Sequence, residues 1–149
     1  MALAPSFVGR CYLLAGAYQV GREKIREFAE AIGDDDVLYR DPGAARARGY
    51  SDVLAPPTFA MILVLRAQQE LVGDPELGLD YRRMVHGSQS FIHHRPIAAG
   101  DELTVALHVE GIRTMGGNDM LTVRCEITDH AGAPVTTART MLVIRGEDG

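Results

Sequence analysis

Seven consecutive apolar residues, Phe59-Ala60-Met61-Ile62-Leu63-Val64-Leu65, constrain this chain more than any other feature. Leu54-Ala55-Pro56-Pro57-Thr58 leads into them, and RAQQELV followed by Gly73 leads out. Proline suits the first turn of a helix, where the N–H groups have no partner anyway. The segment therefore reads as one helix from Pro57 or Thr58 to a terminal Gly73. A helix that is apolar all round in its first half must be wrapped on most sides. No apolar run approaches the length that a membrane span needs, about 20 residues. The wrapping must come from the rest of the chain.

The period of the apolar residues says what does the wrapping. Residues 22–32 place Ile25, Phe28, Ala29 and Ile32 on one helical face, opposite a charged one, and end at Gly33. Residues 40–53 are turn-rich, with one short helix expected at 43–48. After residue 80 the period becomes two. Leu103, Val105, Leu107 and Val109 alternate with polar residues, as do Leu121, Val123, Cys125 and Ile127, and then Ala138, Thr140, Leu142 and Ile144. Gly116-Gly117-Asn118-Asp119 and Asp129-His130-Ala131-Gly132 are turn clusters between these strands. Residues 84–95 read as a further strand ended by Pro96, and a short strand near 17–20 is expected at the sheet edge. The expected fold is α+β: a four-strand antiparallel meander curved around a central apolar helix, which is the hot-dog arrangement. A length of 149 residues suits a single domain over 1–149.

Charge narrows the function classes. Against 20 Asp and Glu stand 15 Lys and Arg, for a net charge of -5. Nucleic-acid binding calls for a basic face, so no nucleic-acid partner is expected, and no membrane association either. The opening Met1-Ala2-Leu3-Ala4-Pro5-Ser6 has no basic stretch before an apolar one, which argues against a secretory signal. Cys11 and Cys125 form neither a CxxC pair nor a zinc spacing. Two buried free thiols in a reducing cytoplasm are expected.

Three segments carry a resemblance. Residues 28–39, FAEAIGDDDVLY, resemble the Gly-Asp-x-Asn-Pro-(aliphatic)-His signature of the MaoC-like, R-specific hydratases and dehydratases. Phe91–Val105, FIHHRPIAAGDELTV, is similar to the family's next strand, with an aromatic before Arg-Pro and then Gly-Asp. Leu54–Phe59 is the third, so the likeness covers nearly the whole chain. It is nearest to the non-catalytic, N-terminal-type subunits of actinobacterial (3R)-hydroxyacyl-ACP dehydratases.

The family's reaction needs a proton removed beside a thioester carbonyl and a proton delivered to the leaving 3-hydroxyl. A His and an Asp can share that work. A backbone N–H at the start of the central helix can hold the thioester oxygen as it gains charge. Only half of that machinery carries over. Gly33 and Asp34 match the Gly-Asp, and Asp34 is the one candidate catalytic residue. Asp36 stands for the Asn and Val37 for the Pro. Tyr39 stands for the catalytic His, and a phenol near pKa 10 cannot exchange protons near neutrality as an imidazole does. Pro56-Pro57 replaces the usual His-Gly before the helix, and proline has no N–H.

The resemblance thus implies a subunit that supplies the acyl-binding half of a dehydratase, with a second hot-dog chain supplying the catalytic Asp and His. Its expected ligand is an acyl thioester of ACP or CoA. The expected substrate-binding residues are Pro57, Thr58, Phe59, Met61, Ile62, Leu63, Leu65 and His94. Pairing edge to edge with that chain, or with a second copy, would cover an exposed sheet edge. No cofactor is expected. No metal is expected either: His93 and His94 are adjacent on a strand and point to opposite faces, while His86 and His94 share a face but stand about 27 Å apart. Two other readings compete. A hot-dog thioesterase would want a carboxylate on the central helix, where Glu70 is the only acid. A non-enzymatic acyl-thioester-binding protein would bind without turnover.

Overall fold

The computed structural model describes residues 3–147. Met1 and Ala2 of the opening segment lie outside the described residues, as do Asp148 and Gly149. In chain order the elements are β1 (Cys11–Leu13), β2 (Tyr18–Gln19), α1 (Arg22–Ala31), α2 (Pro42–Ala47), α3 (Met61–Val72), β3 (Met84–His93), β4 (Glu102–Met115), β5 (Asn118–Thr128) and β6 (Pro134–Ile144). The sheet is antiparallel, in the order β1-β4-β5-β6-β3, with β2 pairing β4 beside β1. It curls around α3 as a hot dog.

The alternating strands bury the faces that their sequence specifies. Leu103, Leu107, Leu121, Val123, Cys125, Ile127 and Ala138 have no exposed surface and pack with Leu63, Val64 and Leu71 of α3. A β-bulge at Val109/Gly111 bends β4 as it wraps the helix. The β4–β5 turn is Gly116-Gly117, both with positive φ (61° and 79°), a pairing that glycine adopts without a Cβ clash. At the next turn the Asp129 carboxylate accepts the N–H groups of Ala131 and Ala133, both at 2.9 Å.

One connection departs from a simple meander. β3 pairs with β6, not with β4. Residues 94–101 are too long for a tight hairpin, whose loops run roughly two to five residues, and Pro96 interrupts them. They cross the end of the sheet instead. Arg95 holds the crossing by donating to Asp101 at 2.9 and 3.1 Å and to Asp129 at 3.5 Å. β3 is left as a free edge.

Three smaller expectations are corrected. Cys11 is exposed, because β1 is a short edge strand with only its middle residue turned inward; Cys125 alone is buried. Ile32 lies past the last turn of α1 and is half exposed, whereas Ile25 and Ala29 are buried. The apolar helix is not wrapped all round: it opens as a 3-10 turn over Pro57–Ala60, and Leu65 is 50% exposed.

Candidate functional site

The loop after α1 is built from short-range hydrogen bonds. Gly33 turns the chain with φ 72°, and the Asp34 N–H returns to the Ala29 carbonyl at 2.9 Å. The Asp34 carboxylate accepts the Asp36 N–H at 3.2 Å, and the Asp36 carboxylate accepts the Leu38 N–H at 2.9 Å. The second bond caps a single 3-10 turn, Val37–Tyr39. Asp34 is half-buried, while Asp35 and Asp36 are exposed. Tyr39 is half-buried against the core. Burial pushes its phenol pKa up, and the nearby Asp34 and Asp36 carboxylates push it further. The Tyr39 side chain is therefore held neutral and protonated.

This loop is fastened to the segment that starts the central helix. The Leu54 N–H donates to the Leu38 carbonyl at 2.9 Å, the Ala55 N–H to Ile97 at 2.7 Å, and the Ala99 N–H to Val53 at 3.0 Å. Pro57 begins the 3-10 turn with no side-chain cap and can donate nothing from its own nitrogen. Phe59 is fully buried, edge-on to Phe28 of α1 at 5.5 Å and 73°. The loop after α1 and the helix start are thus joined at one corner.

A groove of about 1280 Å³ runs between α3 and β3. Thr58, Met61, Leu65, Gln68 and Val72 form its helical wall. Their spacings of three and four residues make one helical face. Met84, His86, Gln89 and Phe91 line it from β3, with Tyr81 and Arg82 of the preceding turn.

Of the residues singled out from sequence, Thr58, Met61 and Leu65 line this groove. Phe59 and Leu63 do not; both are fully buried in the core. Pro57 is exposed and Ile62 half-buried, and neither lines it. His94 is elsewhere: its Nε2 lies 3.1 Å from the Thr137 hydroxyl, which itself donates to Glu126 at 2.7 Å. Glu126 is out of phase with the buried Cys125 and Ile127, so His94 belongs to the outer face. A register shift between His86 and Ser88 turns His86 inward instead, so His86 and His94 do not share a face as the unbroken alternation implied. Gln68 and Gln89 are not marked by the sequence reading, and His86 and Phe91 are marked there for other reasons than lining a groove. The i, i+4, i+7 series from Met61 could have shown Gln68, and Gly87, a lone glycine inside the strand pattern, marks the bulge that turns His86.

Two further features bear on chemistry. Among the described residues, no three His, Cys, Asp or Glu side chains gather as metal ligands would. Burial pushes the Cys125 thiol up to about 12, with Glu126 adding to it, so Cys125 is an inert core residue. No helix is long and apolar enough to cross a membrane among the described residues.

Comparison with known proteins extends this picture. The family model of the FAS1-like, dehydratase domain region matches residues 6–138. A UPF0336 protein of Saccharopolyspora erythraea is 60% identical over 146 residues, covering 98% of this chain and 94% of its own. A solved MaoC-like dehydratase superposes with a TM-score of 0.88 and 36% identity, over 96% of this chain but 43% of its own. The chain thus spans less than half of that structure's length. The C-terminally truncated HadBC (3R-hydroxyacyl-ACP dehydratase) complex of Mycobacterium tuberculosis gives 0.85 and 29%, over 92% of this chain and 96% of that one.

Proposed function

We propose, for a chain that belongs to the family of the FAS1-like dehydratase domain region, that it is the acyl-binding subunit of a (3R)-hydroxyacyl-thioester dehydratase. Its substrate is an acyl thioester of ACP or CoA. In the dehydration a base takes the C2 proton, and the electron pair moves toward the thioester oxygen. As the carbonyl re-forms, the C2–C3 double bond forms and the C3–O bond breaks. The leaving oxygen takes a proton and departs as water. The base, the acid and the N–H that holds the oxygen come from a second hot-dog chain. This chain contributes the groove wall, with Thr58, Met61 and Leu65 against the tail.

The observation that carries the reading is a conjunction about the start of the central helix, where Thr58 of the groove follows Pro57. A large, mostly apolar groove is intact, yet the adjoining site has a neutral tyrosine for an imidazole and a proline nitrogen for an N–H donor. Losing one such donor costs about 10²–10³ in rate, and losing the acid–base group about 10²–10⁴. Asp34 remains as a relic of the dyad, held in a turn. The free β3 edge beside the groove is where a second sheet would dock. The HadBC structure is a complex, which is consistent with such pairing. The thioesterase reading gains nothing, because Glu70 is exposed and off the groove.

Mixing the purified chain with a hot-dog partner carrying an intact Gly-Asp-x-Asn-Pro-x-His, and assaying hydration of a trans-2-enoyl thioester, tests the proposal. The mixture should turn over at a rate that neither chain reaches alone. Full turnover by this chain alone sinks it. Tight thioester binding that no partner converts to turnover would favour the non-enzymatic reading instead.

A further inference from the structure

Gln68 is out of character with the stripe it belongs to. It shares the groove face of α3 with Met61, Leu65 and Val72. It is 5% exposed, and its Nε2 has no hydrogen-bond partner. A buried amide left without a partner is destabilising, whereas a leucine of similar bulk would carry no such cost. The opposite wall also turns a polar group toward the groove. Gln89 Oε1 accepts the Thr140 hydroxyl at 2.5 Å and faces His86 Nε2 at 3.2 Å. Those groups satisfy one another; Gln68 is left over.

We infer that the groove takes an acyl chain bearing a hydroxyl group part-way along the tail, and that Gln68 selects it. The inference rests on the acyl-thioester reading above. A carboxamide carries a donor and an acceptor, and its last side-chain torsion is soft and roughly two-fold, so either end can turn to the groove. A hydroxyl both donates and accepts, so it satisfies whichever end it meets. A saturated tail satisfies neither and leaves the amide desolvated. Discrimination follows because a tail without the hydroxyl forgoes one neutral hydrogen bond to the amide.

Position separates this hydroxyl from the one that leaves in the reaction. Gln68 stands seven residues beyond Met61, where α3 begins, about 10 Å along the helix axis at 1.5 Å per residue. In the reading above the second chain's N–H holds the thioester oxygen and this groove receives only the tail, so the reacting carbons lie outside it. The selected hydroxyl is therefore far down the tail and chemically untouched by the dehydration.

Equilibrium binding to the full chain tests this, with saturated long-chain acyl-CoA and isomers of equal length whose single hydroxyl is moved carbon by carbon. The chain should prefer one hydroxyl position over the saturated tail by about three- to tenfold, the worth of one neutral hydrogen bond. Gln68→Leu should abolish that preference and tighten binding of the saturated tail; Gln68→Met serves if the leucine variant fails to fold. Equal binding of all isomers by the wild type, or a preference that survives both variants, overturns the inference alone. Failure to bind any acyl-CoA overturns the acyl-thioester reading and this inference with it. A water or partner-chain group that stays on the Gln68 amide when a hydroxyacyl chain is bound also overturns the inference.

Discussion

The carbonyl oxygen of Leu38 accepts the N–H of Leu54 at 2.9 Å. This bond ties the loop carrying Asp34 and Tyr39 to the residues that lead into Pro57, so the two losses proposed above sit on one frame. Restoring both should then restore some chemistry. Tyr39→His with Pro57→Gly is expected to give the isolated chain measurable hydration of a trans-2-enoyl thioester. Each single variant should stay at background, because each leaves a loss of about 10² or more in place. An active Tyr39→His single variant would show that the proline is no defect.

Burial separates the groove wall from the core on the same helix. Phe59→Ala removes a fully buried ring edge-on to Phe28 and should cost about 3–5 kcal/mol in denaturant unfolding. Leu65→Ala, at a side chain 50% exposed, should cost within about 0.5 kcal/mol while weakening acyl-CoA binding. Comparable losses of stability in the two variants would mean that the groove is closed in solution and Leu65 is a core residue.

Periodicity is why the sheet could be read in advance and the groove only in part. The alternation in β4, β5 and β6 is a local signal, and Leu103 to Ile144 fall on the core side as it dictates. Strand order is a global property: nothing local to 94–101 says that β3 will lie beside β6, since that depends on the crossing held by Arg95, Asp101 and Asp129. An all-apolar run has no polar face to orient it. Phe59 and Leu63 therefore looked equivalent to Met61 and Leu65 until packing against the sheet distinguished them. The tyrosine and the proline that stand where the resemblance expects an imidazole and an N–H are matters of residue identity and need no packing to read.

Alkaline pH should expose a clamp between β1 and the turn after α3. The Tyr12 hydroxyl donates to Asp74 at 2.6 Å, and Arg10 pairs with the same carboxylate at 3.0 Å. Burial, then the bond to Asp74, raises the Tyr12 phenol from 10.0 to about 12. A pKa raised in the fold gives stability that is complete below the unfolded value and lost as pH rises through the folded one. Thermal stability should therefore fall between pH 10 and 12, with Cys125, also raised to about 12, adding its share from pH 9 upward. Tyr12→Phe should flatten the upper part of that decline. An unchanged slope in the variant would place the alkaline sensitivity elsewhere.

The free edge makes the sharpest demand on assembly. β3 is ten residues long, has a partner on one side only, and exposes Val85 at 44% and Ile92 at 53%. A long unpaired edge beside an open groove invites a second strand, and charge placed there is a standard way to prevent it. The pair Val85→Lys and Ile92→Lys should leave the circular dichroism spectrum unchanged, since neither side chain is in the core. It should weaken association at least about tenfold, because docking would bury two ammonium groups without partners. Sedimentation equilibrium of the chain alone, and mixed with a motif-bearing hot-dog partner, reads this directly. Undiminished association of the double variant would move the interface away from β3 and leave the groove without its expected cover.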